Sequence, residues 1–227
     1  MQPPNHANER ILSALVVLEA LELFFIAPMS AEFRIPVWSF AVMLALNVTA
    51  VLAVVWRKPL AVAAVLLATG VEVTAVVLRI LRPTAQTEAL DFAAALILLV
   101  ALTVVVAVTV FGPGRVTVHR IVGAIAIYLN VAATFALAYR MIASLGPGKF
   151  SPPLGVGGAG HTLSTLIYFS FETLTTTGYG DIAPLEPFAR SLTNVESVIG
   201  QLFPATLLAR LITLELEHRR SKADPAA

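Results

Sequence analysis

The chain has 227 residues, 58% of them hydrophobic and 13% charged, with a mean hydropathy of +0.85. That is too apolar for a soluble domain of this size, and it assigns the chain to a bilayer. The formal net charge is +1 and no basic stripe stands out, which argues against a nucleic-acid partner. The absence of cysteine excludes disulfides, thiolate metal sites and thiol nucleophiles.

A bilayer-crossing helix needs about 20 mainly apolar residues, and on that measure the sequence predicts six spans and one half-span. The first is Ile11 to Ala27. Glu19 and Glu22 lie inside it and no small-residue cleavage site follows cleanly, so it reads as a retained helix rather than a signal peptide. The second and third, Pro36 to Trp56 and Pro59 to Leu81, are separated by Arg57-Lys58-Pro59. Arg82-Pro83 ends the third. The fourth, Leu90 to Phe111, is followed by Gly112-Pro113-Gly114-Arg115, a plausible domain boundary. The fifth is His119 to Leu145.

Gly146 to Gly160 is rich in Gly and Pro and reads as an irregular extracellular turret. A short apolar helix, Thr162 to Thr175, carries Tyr168, Phe169, Phe171 and Glu172. The stretch Thr175-Thr176-Thr177-Gly178-Tyr179-Gly180-Asp181 comes next, and Pro184 and Pro187 precede the sixth span, Pro187 to Leu216. The expected organisation is an N-terminal segment (1–10), a four-helix bundle (11–111), a linker (112–118), a second unit (119–217) that holds the Thr175 to Asp181 stretch, and a short tail (218–227).

An even number of spans puts both termini on one side. The loops there hold Arg10, Arg57, Lys58, Arg115, Arg120, Arg210, Arg219, Arg220 and Lys222, nine of the fifteen Lys and Arg residues. The bias of basic residues toward the cytoplasm then favours cytoplasmic termini in a multi-pass cell-membrane protein. The stretch from Thr175 to Asp181 then opens outward.

The chemistry of the stretch from Thr175 to Asp181 lies in its backbone. An extended strand whose successive carbonyls point at one axis replaces the water shell of a partly dehydrated cation. Gly178 and Gly180 take the φ values that such turning requires and side chains penalise.

From Tyr168 through Arg210 the chain resembles the pore domain of bacterial potassium channels. Tyr168 to Leu174 looks like the family's pore helix and Thr175 to Asp181 like its filter. Arg190, Leu192, Glu196, Gly200, Gln201, Ala205 and the run Leu208 to Ile212 look like the inner helix of a prokaryotic subgroup. The resemblance implies an all-α membrane protein with six transmembrane helices, a re-entrant pore helix and a tetrameric pore. It also implies that the carbonyls of Thr176, Thr177, Gly178, Tyr179 and Gly180, with the Thr176 hydroxyl, hold potassium as the permeant ion, with no cofactor. Tyr179 would brace the strand from behind.

Thr177 departs from the commoner valine, and its hydroxyl needs a partner behind the filter. Tyr168, Glu172, Thr175 and Asp181 would support the filter. Glu172 and Asp181 fall where some members place a carboxyl pair sharing a proton, in which one acid has a raised pKa. The alternative is a solvated Asp181 and a Glu172 bonded to nearby backbone. Gly200 followed by Pro204 implies a bend: a gating hinge on one reading, a fixed kink or close-packing glycine on the other. Leu208 and Ile212 recur at helical spacing, and either line a hydrophobic constriction or face lipid.

Glu19, Glu22, Glu72 and Glu196 lie within spans, where an ionisable group is costly unless paired or facing water. An internal charge cluster of Glu19, Glu22 and Glu72 with Arg79 would satisfy the first three, as a sensor or as a structural polar seam. Glu196 is expected behind the filter. The fourth span has no Arg or Lys, which argues against steep voltage gating, and the tail after Leu216 is too short for a ligand-sensing domain. His119, His161 and His218 are scattered with no metal spacing or nucleophile motif, so the chain does not read as an enzyme. The alternatives to a potassium-selective channel are a weakly selective cation channel and a non-conducting auxiliary subunit.

Overall fold

The structure is a computed structural model that describes residues 6–32, 38–56, 58–111, 118–154 and 159–223. Helix α1 (His6–Leu21) passes through a π-helical turn (Glu22–Ile26) into α2 (Ala27–Glu32). Then come α3 (Trp38–Val55), α4 (Pro59–Leu81), α5 (Ala85–Val110) and α6 (Val118–Ser144). The strand β1 (Phe150–Ser151), α7 (Ala159–Leu174), β2 (Ala183–Pro184) and α8 (Pro187–Ala223) complete the chain. The fold is all-α apart from the two short strands.

Among the described residues, three helices are long and apolar enough to cross a membrane: Pro59–Leu81, Ala85–Val108 and Arg120–Ser144. Leu44–Val55 is a shorter apolar helix. The remaining predicted spans include polar residues, such as Glu19 and Glu22, or residues outside those described.

Local chemistry sets the boundaries. Pro59 starts α4 at a position where a missing amide costs nothing. Thr84 caps α5 through a capping box: its hydroxyl accepts from the Thr87 amide at 3.2 Å, and its own amide donates to the Thr87 hydroxyl at 3.0 Å. That box starts α5 five residues before the apolar run begins at Leu90. Glu186 caps α8 by accepting from the Ala189 amide at 2.8 Å. At its far end α8 continues past Leu216 to Ala223, because leaving the apolar phase removes the need for apolar side chains but leaves helical hydrogen bonding intact.

Hydroxyls within the apolar helices are satisfied locally. Thr49, Thr69, Thr74, Thr103 and Thr134 each donate to the carbonyl four residues back at 2.7 to 2.8 Å.

Leu15, Val51, Val65, Leu98 and Leu102 form one core with Ala124 and Ile127 of α6, and Phe203 of α8 packs against it. Helix α1 packs on both α3 and α6, and α2 packs on α7. The first helices therefore share a core with α6 and α8. A second core, including Tyr139, Ile142, Phe150, Leu166, Phe169 and Ala189, lies beside the loop after α7.

The reading of residues 146–160 as irregular needs correction at its centre. β1 pairs antiparallel with β2, with Phe150 opposite Pro184 and Ser151 opposite Ala183. The Leu185 amide donates to the Lys149 carbonyl at 2.9 Å. The cause is Phe150, which is buried with its ring edge-on to Tyr139 (6.1 Å) and Phe169 (5.9 Å).

Candidate functional site

Helix α7 ends at Leu174, and its last carbonyls hold the start of the loop that follows. The Thr175 amide donates to Phe171 O (2.9 Å), the Thr176 amide to Thr173 O (3.0 Å) and the Thr177 amide to Glu172 O (2.8 Å). The Gly178 amide also reaches Glu172 O, at 3.3 Å. Beyond this anchor φ is positive at every second residue: 57° at Thr176, 58° at Gly178 and 78° at Gly180. In an ordinary strand successive residues face opposite sides. Reversing the handedness of alternate residues cancels that alternation and turns successive carbonyls toward one side. Glycine adopts such angles freely. Thr176, being β-branched, does so at a cost of about 1 to 3 kcal/mol, the kind of strain that clusters at functional sites.

Side chains support the loop from α7. Thr175 Oγ1 donates to Phe171 O at 2.6 Å and lies 2.8 Å from Thr177 Oγ1. With the Thr175 proton committed to Phe171, Thr177 is the donor, so the hydroxyl that replaces valine has a partner. Asp181 accepts from the Tyr168 hydroxyl at 3.0 Å through Oδ2 and from the Ile182 amide at 3.1 Å through Oδ1.

Glu172, one helical turn from Tyr168, is buried, and its Oε1 has no hydrogen-bond partner among the described residues. Burial pushes its carboxyl above the ordinary range. The Tyr168 hydroxyl opposes that shift and the Asp181 carboxylate adds to it. Tyr168 thus stands against both acids.

Tyr179 is 73% exposed in the single chain, and Thr175 to Asp181 are all exposed. The expected bracing of the strand by Tyr179 is absent within its own chain.

Behind α7, Glu196 of α8 is fully buried and binds two neighbouring elements. It accepts from the Tyr139 hydroxyl of α6 at 2.6 Å and is bonded to the Ser170 hydroxyl of α7, while Ser170 also reaches Ala132 O at 2.8 Å. These three bonds need three protons, and the two hydroxyls supply two. With Ser170 donating to Ala132, a proton on Glu196 completes the set.

Four residues along α8, Gly200 lies against the end of α7, where a Cβ would stand 1.7 Å from the Leu174 carbonyl oxygen. Tyr128 of α6 donates to that same oxygen at 3.3 Å. Helix α8 runs unbroken through Pro204. Leu208 is exposed, and the side chain of Ile212 lies outside the described residues.

The expected cluster of Glu19, Glu22, Glu72 and Arg79 separates into two groups. Asn130 donates to Glu19 Oε1 at 2.6 Å, and Asn47 donates to Glu22 Oε2 at 3.3 Å. Arg79 instead forms a 3.2 Å ion pair with Asp91, with Glu72 within electrostatic reach of both. The partners of Glu19 and Glu22 are amides, and Asn47 and Asn130 stand out in their apolar runs. Tyr139 and Ser170 carried no such signal, because hydroxyls are common in membrane helices.

Residues 124–216 match a family described as ion channel. Two relatives, both named Protein LctB, are similar over part of the chain. The protein from Bacillus caldotenax is 28% identical over 94 residues, covering 40% of this chain and 69% of its own length. The protein from Geobacillus stearothermophilus is 31% identical over 88 residues, covering 37% and 64%. No solved structure matches the chain.

Proposed function

We propose that this chain is a multi-pass, potassium-selective channel of the pore-loop kind, a reading supported by the match of residues 124–216 to a family described as ion channel. The observation that carries this reading is the alternation of positive φ at Thr176, Gly178 and Gly180, in a sequence that reads Thr-Thr-Gly-Tyr-Gly. Carbonyls turned to one side form stacked oxygen rings when several copies surround an axis, and such rings replace the hydration shell of a potassium ion.

One chain contributes one strand, so the working unit is a homotetramer. Its axis would meet the exposed faces of Thr176 to Gly180, and the exposed Tyr179 would pack against a neighbouring chain. The six-span arrangement has both termini cytoplasmic. The unit from 119 to 217 forms the pore, and the bundle from 11 to 111 supports it. Gly200 and Pro204 shape the inner helix, and Leu208 and Ile212 line its narrow part.

The test is flux. Proteoliposomes loaded with potassium and diluted into sodium should lose potassium down its gradient, at a rate that scales with protein. Liposomes that leak no faster than empty controls under any ionic condition would contradict conduction.

A further inference from the structure

We propose that the cavity between α1, α3, α5, α6 and α7 is a binding site for a small organic ammonium ion, a cationic head on a short apolar body. The cavity has a volume of about 170 Å³ and is lined on its polar side by Glu19, Glu22, Asn47 and Asn130. Leu44 of α3, Leu99 and Leu102 of α5 and Leu137 of α6 add an apolar side, and Leu163 and Ile167 of α7 form one wall.

The polar side is incompletely satisfied. Glu19 is 6% exposed and Asn47 9% exposed, yet Glu19 Oε2 and Asn47 Oδ1 have no hydrogen-bond partner among the described residues. The orientation of Asn47 is fixed by Glu22, since a carboxylate accepts and must face the amide nitrogen. Asn47 Oδ1 is therefore an acceptor, and Glu19 Oε2 is one in its carboxylate form, so a donor completes the site. No Lys or Arg is among the lining residues, so a cation in the cavity is what would hold the two acids as carboxylates.

A hard divalent ion takes six to eight oxygens, whereas the asparagine amides already occupy Glu19 Oε1 and Glu22 Oε2 and leave four side-chain oxygens on this wall. An ammonium group has three donors and tolerates apolar surroundings on its carbon side. A dry cavity of about 150 Å³ holds a benzene-sized molecule, so this one takes an ammonium with about four carbons.

The site is built where the helix departs from α geometry. Glu22 opens the π-helical turn, and π turns concentrate at functional sites. In the same turn Phe24 stacks on Phe171 of α7 at 4.9 Å. An occupant would thus rest between the first helix and the helix that carries the filter.

The experiment is calorimetric titration of the full-length protein in detergent with n-butylammonium, at constant potassium, with n-butanol as the uncharged control. Saturable binding at one site per chain is expected, with n-butanol at least tenfold weaker. Glu19→Gln should weaken n-butylammonium at least tenfold. Ala133→Leu, which fills the cavity and leaves both acids in place, should abolish binding. Absence of saturable binding, equal binding of the alcohol, or unchanged affinity in Ala133→Leu would each overturn the proposal. The readout does not involve current, so it is independent of whether the channel selects potassium.

Discussion

Gly200 of the last helix meets the carbonyl of Leu174 so closely that a Cβ would stand 1.7 Å from the oxygen. The contact joins α8 to the last residue of α7. A position with backbone at that distance is first a packing position, which is the close-packing reading of Gly200. Small residues serve this purpose wherever membrane helices approach closely.

Gly200→Ala should therefore destabilise the protein by at least about 1 to 3 kcal/mol, the usual cost of overpacking, and disturb the filter entrance. Thermal unfolding in detergent, read beside single-channel currents, tests this. Unchanged stability with altered open times would assign Gly200 to a moving hinge instead.

Tyr168→Phe removes the 3.0 Å bond to Asp181 and keeps the ring. The bond is exposed and its net worth is about 1 kcal/mol, so folding should persist while the outer end of the filter loop loosens. Currents should decay faster after opening than in the unmodified protein, and steady currents of unchanged duration would refute the role.

Thr177→Val removes the donor to Thr175 and costs about 0.5 to 1.5 kcal/mol. Backbone carbonyls remain, so ion preference should be retained and only the lifetime of the conducting state should change. Permeability ratios measured for both proteins check the separation.

Glu196→Gln should be nearly neutral, because an amide donates to Ser170 and accepts from Tyr139 as a protonated carboxyl does. Glu196→Ala leaves two buried hydroxyls without that partner, at about 1 to 3 kcal/mol each. Melting temperatures of the two variants should differ markedly. Equal losses would mean that the carboxyl is charged in the folded protein and that the proton count is wrong.

Much of this arrangement was legible in the chain. Proline and basic residues punctuate α4 at both ends, and its bounds from Pro59 to Leu81 match the apolar run. The backbone of the loop from Thr175 to Asp181 was legible because it depends on glycine, and Gly178 and Gly180 hold the angles their spacing implies. Thr176 was not, since nothing in a β-branched residue announces a positive φ.

Partner choice was the weaker part. Arg79 pairs with Asp91, at the beginning of the next helix, because the short turn after α4 returns the chain beside it. The turn at Phe150 was hidden because a single aromatic in a Gly-Pro loop gives no strand pattern, and its burial depends on rings far away in sequence.

Helix α5 has no Arg or Lys among its residues. One gating charge crossing the field is worth about 2.3 kcal/mol per 100 mV, close to a fifty-fold change in an equilibrium. Open probability should shift by less than about that factor per 100 mV, and a steeper dependence would require charges moving elsewhere.

The central claim is selectivity, and the most direct test is the reversal potential of the purified protein in a planar bilayer with unequal potassium and sodium on the two sides. A value near the potassium equilibrium potential is the predicted result. A value near zero would mean that the loop from Thr176 to Gly180 passes both ions, and would contradict the assignment of a potassium filter.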